Sequence, residues 1–216
     1  MALFEPRALP NIITVARIVA APGVFFLIFI PTFTARMLAF LLFLMAAVSD
    51  LWDGHLARKH GWISDFGKLW DPIADKLLLV AVFVPIYMVS RTGEPSGQLV
   101  AIGSFPAWIL IVVFGREVAI TVIRFFAVGR GLVIAAGQTG KYKAVFQNIF
   151  SGTAIFWLAL QAMAVRRGWE GLEAWTWWSN FHGFVFLTTL SVAVLLTVFS
   201  FVVYLLEWRR QLRDLA

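Results

Sequence analysis

The sequence predicts an all-α integral membrane protein: a single domain, residues 1–216, built from six transmembrane helices. Three observations carry the membrane assignment. Hydrophobic residues make up 61% of the chain, against about half in soluble domains, and the mean hydropathy is +0.84. The apolar residues fall in runs of the roughly 20 needed to cross a bilayer. Proline, glycine or charge breaks each run. The chain has no cysteine, which excludes disulfides and thiolate metal sites. Its formal charge of +6, in a membrane chain, points to anionic headgroups rather than nucleic acid.

The first span covers about residues 11–30 and stops at Pro31. Further spans follow it, so it reads as a span and not as a cleaved leader. The second covers about 35–57 and the third about 68–90, closed by the polar loop Arg91-Thr-Gly-Glu-Pro-Ser-Gly. The fourth, about 105–129, ends at Gly129-Arg-Gly. Arg166-Arg-Gly-Trp-Glu-Gly separates the fifth, about 138–164, from the sixth, about 180–206.

Six spans put both termini on one side. That side carries Arg7, Arg58, Lys59, Lys68, Arg130, Lys141, Lys143, Arg209, Arg210 and Arg213. The other carries Arg36, Arg91, Arg166 and Arg167. The bias makes the first side cytoplasmic. Arg166 and Arg167 run against it, beside Glu170 and Glu173. Trp169, Trp175, Trp177 and Trp178 form an expected outer interfacial belt.

Acidic residues are scarce, yet five aspartates lie between Ser49 and Lys76. On a helix advancing about 100° per residue, Asp50, Asp53, Gly54 and Ala57 share one face, with Arg58 at its edge. Asp71 and Asp75 share a face of the next helix, with Gly67 one turn before. Pro72 marks the first turn of that helix or a kink in it. A lone aspartate at a helix end is usually a cap, and Asp65 fits that reading. Four intramembrane carboxylates are another matter. Facing one another in a half-dry site they repel, so protons or cations must be present. Hard divalent cations suit an all-oxygen site. The small residues allow a ligand close to the backbone, and Arg58 offers charge to a phosphate.

The spacing Asp50-x2-Asp53-Gly54-x2-Ala57-Arg58-x8-Gly67-x3-Asp71-x3-Asp75 resembles the complete signature of the CDP-alcohol phosphotransferase family. The resemblance implies a six-span membrane enzyme, commonly a homodimer, that uses two divalent cations, Mg2+ or Mn2+. It implies transfer of a phospho-alcohol group from a CDP-linked donor to a hydroxyl, with release of CMP. It assigns Asp50 and Asp71 to both ions, Asp53 to one and Asp75 to the other. Asp75 would also be the general base, and Gly54, Ala57, Arg58 and Gly67 would hold the nucleotide.

Three further segments, Leu9–Arg17, Gly115–Arg124 and Gly140–Gln147, are similar to the branch of the family that joins CDP-diacylglycerol to glycerol 3-phosphate. Ala144 stands where that branch often has Thr. The branch implies a bacterial inner membrane and a cytosol-facing site. Arg116, Arg124, Lys141 and Lys143 offer charge to the acceptor phosphate, with Glu117 placed to orient Arg124. The lysines are also expected from topology alone, and the arginines from pairing or snorkelling. Asn11, Thr14 and Arg17 form a polar stripe on span one; lining the nucleotide site and anchoring to headgroups are equally good readings of it. Other acceptors, phosphatidylglycerol or an inositol phosphate, define rival branches. A cation transporter is the rival from another class, but it has no use for glycines at those offsets. His55, His60 and His182 have no metal spacing and read as bystanders.

Overall fold

The computed structural model describes residues 9–60, 65–129 and 138–213, with side chains omitted at 9–10, 51–66, 68–69, 128 and 138. Six long helices are present: α1 (Leu9–Phe29), α2 (Phe33–His60), α3 (Asp65–Ser90), α4 (Ala107–Val128), α5 (Gln138–Arg167) and α6 (Glu173–Arg213). They match the six predicted spans in order. Asp65 is the first residue of α3; its side chain, and with it the expected cap, lies outside the described residues. Pro72 sits inside α3, about two turns from its start.

Among the described residues, five helices are long and apolar enough to cross a bilayer. α4, with 22 residues, is long enough to cross but carries Arg116, Glu117 and Arg124. Its acid and one of its arginines pair with each other, which lowers the cost of burying them.

Each helix buries a stripe at three- and four-residue spacing, the face that a 3.6-residue turn aligns. On α1 it reads Thr14, Arg17, Ala21, Val24, Ile28; on α5 it reads Lys143, Gln147, Phe150, Ala154, Leu158. The stripes of α1 and α5 are polar toward one end of the bundle and apolar in the middle. α1 packs on α2 and α3, α5 on α2 and α6, and α4 on α6, while α3 and α4 touch only sparsely. The apolar middle is a run of rings: Phe83, Phe105, Phe150 and Phe186, with centroids 5.1–6.0 Å apart from one to the next. Such tilted and edge-on pairs are the favoured aromatic geometry.

The end away from the aspartates is closed by the loop between α3 and α4. Ser90 Oγ accepts the Phe105 amide, at 2.8 Å. Trp157 Nε1 donates to the Gln98 carbonyl, at 2.8 Å. Arg36, 1% exposed, donates to the carbonyls of Ile28, Ser96 and Leu158. One guanidinium thus ties α1, the loop and α5 together. Gly97 packs against the end of α3, where an added Cβ would lie 2.5 Å from the Val89 carbonyl oxygen. Gly97→Ala should destabilise the protein by about 1–3 kcal/mol through overpacking, seen as a lower melting temperature in detergent; an unchanged melt would show that the loop gives way freely.

The expected tryptophan belt is only partly a lipid-facing belt. Trp177 is well exposed. Trp175 and Trp178 instead pack on Trp157 and His182. His182 is buried and hydrogen-bonded to the Thr153 carbonyl, at 3.0 Å, a structural role that agrees with reading it as a bystander.

Candidate active site

The polar ends of the stripes meet around Arg17. This side chain is 2% exposed and its guanidinium reaches three aspartates: Asp50, Asp75 at 2.8 Å and Asp71 at 3.3 Å. Thr14 donates to Asp71 at 2.6 Å. α1 supplies the donors, the end of α2 supplies Asp50, and the first turns of α3 supply Asp71 and Asp75. The i, i+4 spacing within α3 does what it predicts, putting both carboxylates on one face. Asp53, Gly54, Ala57 and Arg58 continue α2, with side chains outside the description. Gly67 lies one turn before Asp71 on α3.

Arg17 and Thr14 are thus in the site and not at the headgroups. The sequence showed the stripe but had no means of choosing between those two places. Among the described residues no set of three acidic or imidazole groups forms a ready metal cage; the Asp53 side chain, part of the expected set, lies outside them. The donor set still fits hard cations. Three carboxylates converge on one positive charge, and the Asp71 and Asp75 side chains remain 47% and 59% exposed, open to a further ligand.

Two of the three carboxylates, Asp50 and Asp75, line one wall of a cavity of about 260 Å³; Asp71 lies outside its lining. Arg17, Asp50, Asp75 and Lys76 line that wall; Arg116, Glu117, Thr121 and Arg124 of α4 face them. α5 contributes Gly140, Lys143, Ala144 and Gln147, again a three- and four-residue stripe. Lys141 falls off that stripe and is exposed; it does not line the cavity. Glu117 does not orient Arg124 as expected. It takes Arg116, at 2.9 Å, and Lys143 of α5. Arg116 also donates to Ser200 of α6, at 3.2 Å. Two of the expected acceptor groups are therefore held rigidly, while Arg124 projects into the cavity without an ion-pair partner among the described residues.

Lys76 of α3 also lines the cavity. Its Nζ donates to Thr121 Oγ1 of α4, at 2.6 Å, bridging the two sparsely packed helices. Beyond this bridge lies an apolar groove of about 290 Å³ lined by Val80, Phe114, Val118 and Val122. It shares Lys76, Leu79, Glu117 and Thr121 with the polar cavity.

A helical bundle with five helices apolar enough to cross a bilayer is a multi-pass membrane protein, and its carboxylate cluster, facing basic residues and adjoining apolar groove lie together between α3, α4 and α5. The chain belongs to the CDP-alcohol phosphatidyltransferase family, whose sequence profile matches residues 7–185. It is similar to the CDP-diacylglycerol–glycerol-3-phosphate 3-phosphatidyltransferase of Bacillus subtilis (strain 168), 36% identical over 154 residues, 65% of this chain and 72% of that protein. The protein of the same name from Mycoplasma pneumoniae is 34% identical over 161 residues, 66% of this chain and 65% of that one. The Rickettsia bellii protein of that name is 44% identical over 86 residues, 40% of this chain and 48% of the relative.

Proposed function

We propose that the protein transfers a phosphatidyl group from CDP-diacylglycerol to sn-glycerol 3-phosphate, giving phosphatidylglycerophosphate and CMP, in a bacterial inner membrane with the site facing the cytoplasm. One observation carries this reading: a carboxylate wall and a basic wall face each other in one cavity that opens into an apolar groove. The names of the relatives support it.

The groove between α3 and α4 takes the donor's acyl chains, so that the diphosphate lies beside the aspartates. Gly54, Ala57, Arg58 and Gly67, with Asn11 and Thr14 of α1, hold the nucleotide. Asp50, Asp53, Asp71 and Asp75 would hold two divalent cations, Mg2+ or Mn2+. When bound, these neutralise the diphosphate and stabilise the departing CMP. Arg17 keeps the carboxylates together from below. Arg124, with Arg116 and Lys143 fixed by Glu117, holds the acceptor phosphate. Asp75 takes the proton from the acceptor hydroxyl. The hydroxyl oxygen bonds to the phosphorus that carries diacylglycerol, and the bond from that phosphorus to CMP breaks. Orientation of the two substrates across the cavity supplies much of the rate.

Purified protein given CDP-diacylglycerol should release CMP only when glycerol 3-phosphate is present. Release with phosphatidylglycerol or inositol phosphate instead would move it to another branch. Arg124→Ala should raise the KM for glycerol 3-phosphate by about 10–100-fold, the loss of one charge-assisted contact, with the KM for the lipid donor little changed. An effect confined to the donor would contradict the acceptor role.

A further inference from the structure

At the end of the bundle opposite the aspartates lies a second cavity, of about 500 Å³, that the reaction does not use. Arg166 and Arg167 at the end of α5, the start of α2 at Thr32–Thr34, and Ser96 of the α3–α4 loop line it. Asp50 and Arg36 are fourteen residues apart on α2, roughly 20 Å at the helical rise, so the two cavities open on opposite sides of the membrane. We infer that this second cavity binds the phosphate of an anionic phospholipid in the leaflet opposite the catalytic site.

Two sources of positive charge converge on it. Arg166 and Arg167 are exposed and have no carboxylate partner among the described residues, although Glu170 and Glu173 follow closely. Arg167 lies over the Trp169 ring instead, 5.9 Å from its centroid, at the level where tryptophan marks the interface. Behind the wall, Arg36 is held only by carbonyls among the described residues, so no acid there cancels its charge; its partner Ser96 is part of the cavity lining. Pro31, Phe33, Ala162 and Met163 supply the rest of the lining. That apolar share suits the glycerol and first methylenes of a lipid rather than a free hydrated anion. Basic residues on this side oppose the orientation set by the rest of the chain, and a lipid phosphate gives them a physical role.

The test is lipid retention by the full-length protein in detergent, read by native mass spectrometry. The probes are dioleoylphosphatidylglycerol, dioleoylphosphatidylcholine and inorganic phosphate. The catalytic cavity also attracts anionic lipid, so the quantity that matters is the difference between variants. Arg166→Gln with Arg167→Gln should weaken phosphatidylglycerol retention by about tenfold or more, at about 1 kcal/mol for each arginine. Phosphatidylcholine retention and CMP release at saturating substrate should not change. Thr34→Glu, which adds a negative charge to the same cavity without touching either arginine, should give the same loss. Equal phosphatidylglycerol retention in the wild type and both variants would overturn the site. Displacement of the lipid by millimolar inorganic phosphate would overturn the lipid assignment in favour of a plain anion site. Neither result bears on the phosphatidyl-transfer reading, because the arginines are remote from the aspartates.

Discussion

Asp75→Asn is expected to lower CMP release by about a thousandfold, the middle of the range for removing a general base. Asparagine keeps the shape and can still accept a hydrogen bond from Arg17, but it cannot take up the acceptor proton. It also removes one anionic ligand from the proposed cation set, so the loss should be at least that of the base alone. The fold should survive, because Arg17 retains Asp50 and Asp71. Donor binding should largely survive too, since the groove and the nucleotide-holding residues are untouched. Steady-state CMP release, donor binding and a melting curve together decide the matter. Activity within tenfold of wild type would remove Asp75 from the chemistry.

Arg17→Ala is expected to have the second largest effect, on stability. The substitution leaves Asp50, Asp71 and Asp75 facing one another with their central positive charge gone. Removing one partner of a fully buried ion pair costs about 3–5 kcal/mol. The exposure of Asp71 and Asp75 puts this case at the low end, about 2–3 kcal/mol by the same reasoning. The variant should therefore melt well below wild type in the presence of a chelator. Added Mn2+ should raise its melting temperature more than that of wild type, because a cation takes over the neutralising role and binds only the folded protein. Arg17→Lys should fall between them, keeping the charge but losing the fork that reaches several carboxylates. Equal melting of Arg17→Ala and wild type in chelator would show that the aspartates do not need this guanidinium.

Periodicity and span length made the six helices legible, since both are local properties of the chain. The pairing of Asp71 with Asp75 was legible for the same reason. Arg17 was not. A polar stripe on a first span looks alike whether it meets headgroups or aspartates, and only the packing of α1 against both α2 and α3 distinguishes them. Glu117 was misdirected for a related reason: helical spacing offered Arg124, seven residues on, while the structure supplies Lys143 from another helix, 26 residues away. Lys76 escaped notice because its partner, Thr121, lies 45 residues away across a helix gap. Lys141 and Lys143 look equivalent in the sequence. The three- and four-residue stripe of α5 puts one inside and leaves the other exposed.

The clamp formed by Arg36 has a consequence for biosynthesis. Its carbonyl partner on α5, Leu158, is translated 122 residues later, on the order of ten seconds at typical synthesis rates. During that interval the newborn hairpin of the first two helices holds a charged side chain whose final partners do not all exist yet. The guanidinium must stay solvated near the membrane surface, so the hairpin cannot settle to its final depth when it leaves the translocon. Docking of the fifth helix becomes the event that locks the early helices, and a chain truncated before it should remain loosely inserted.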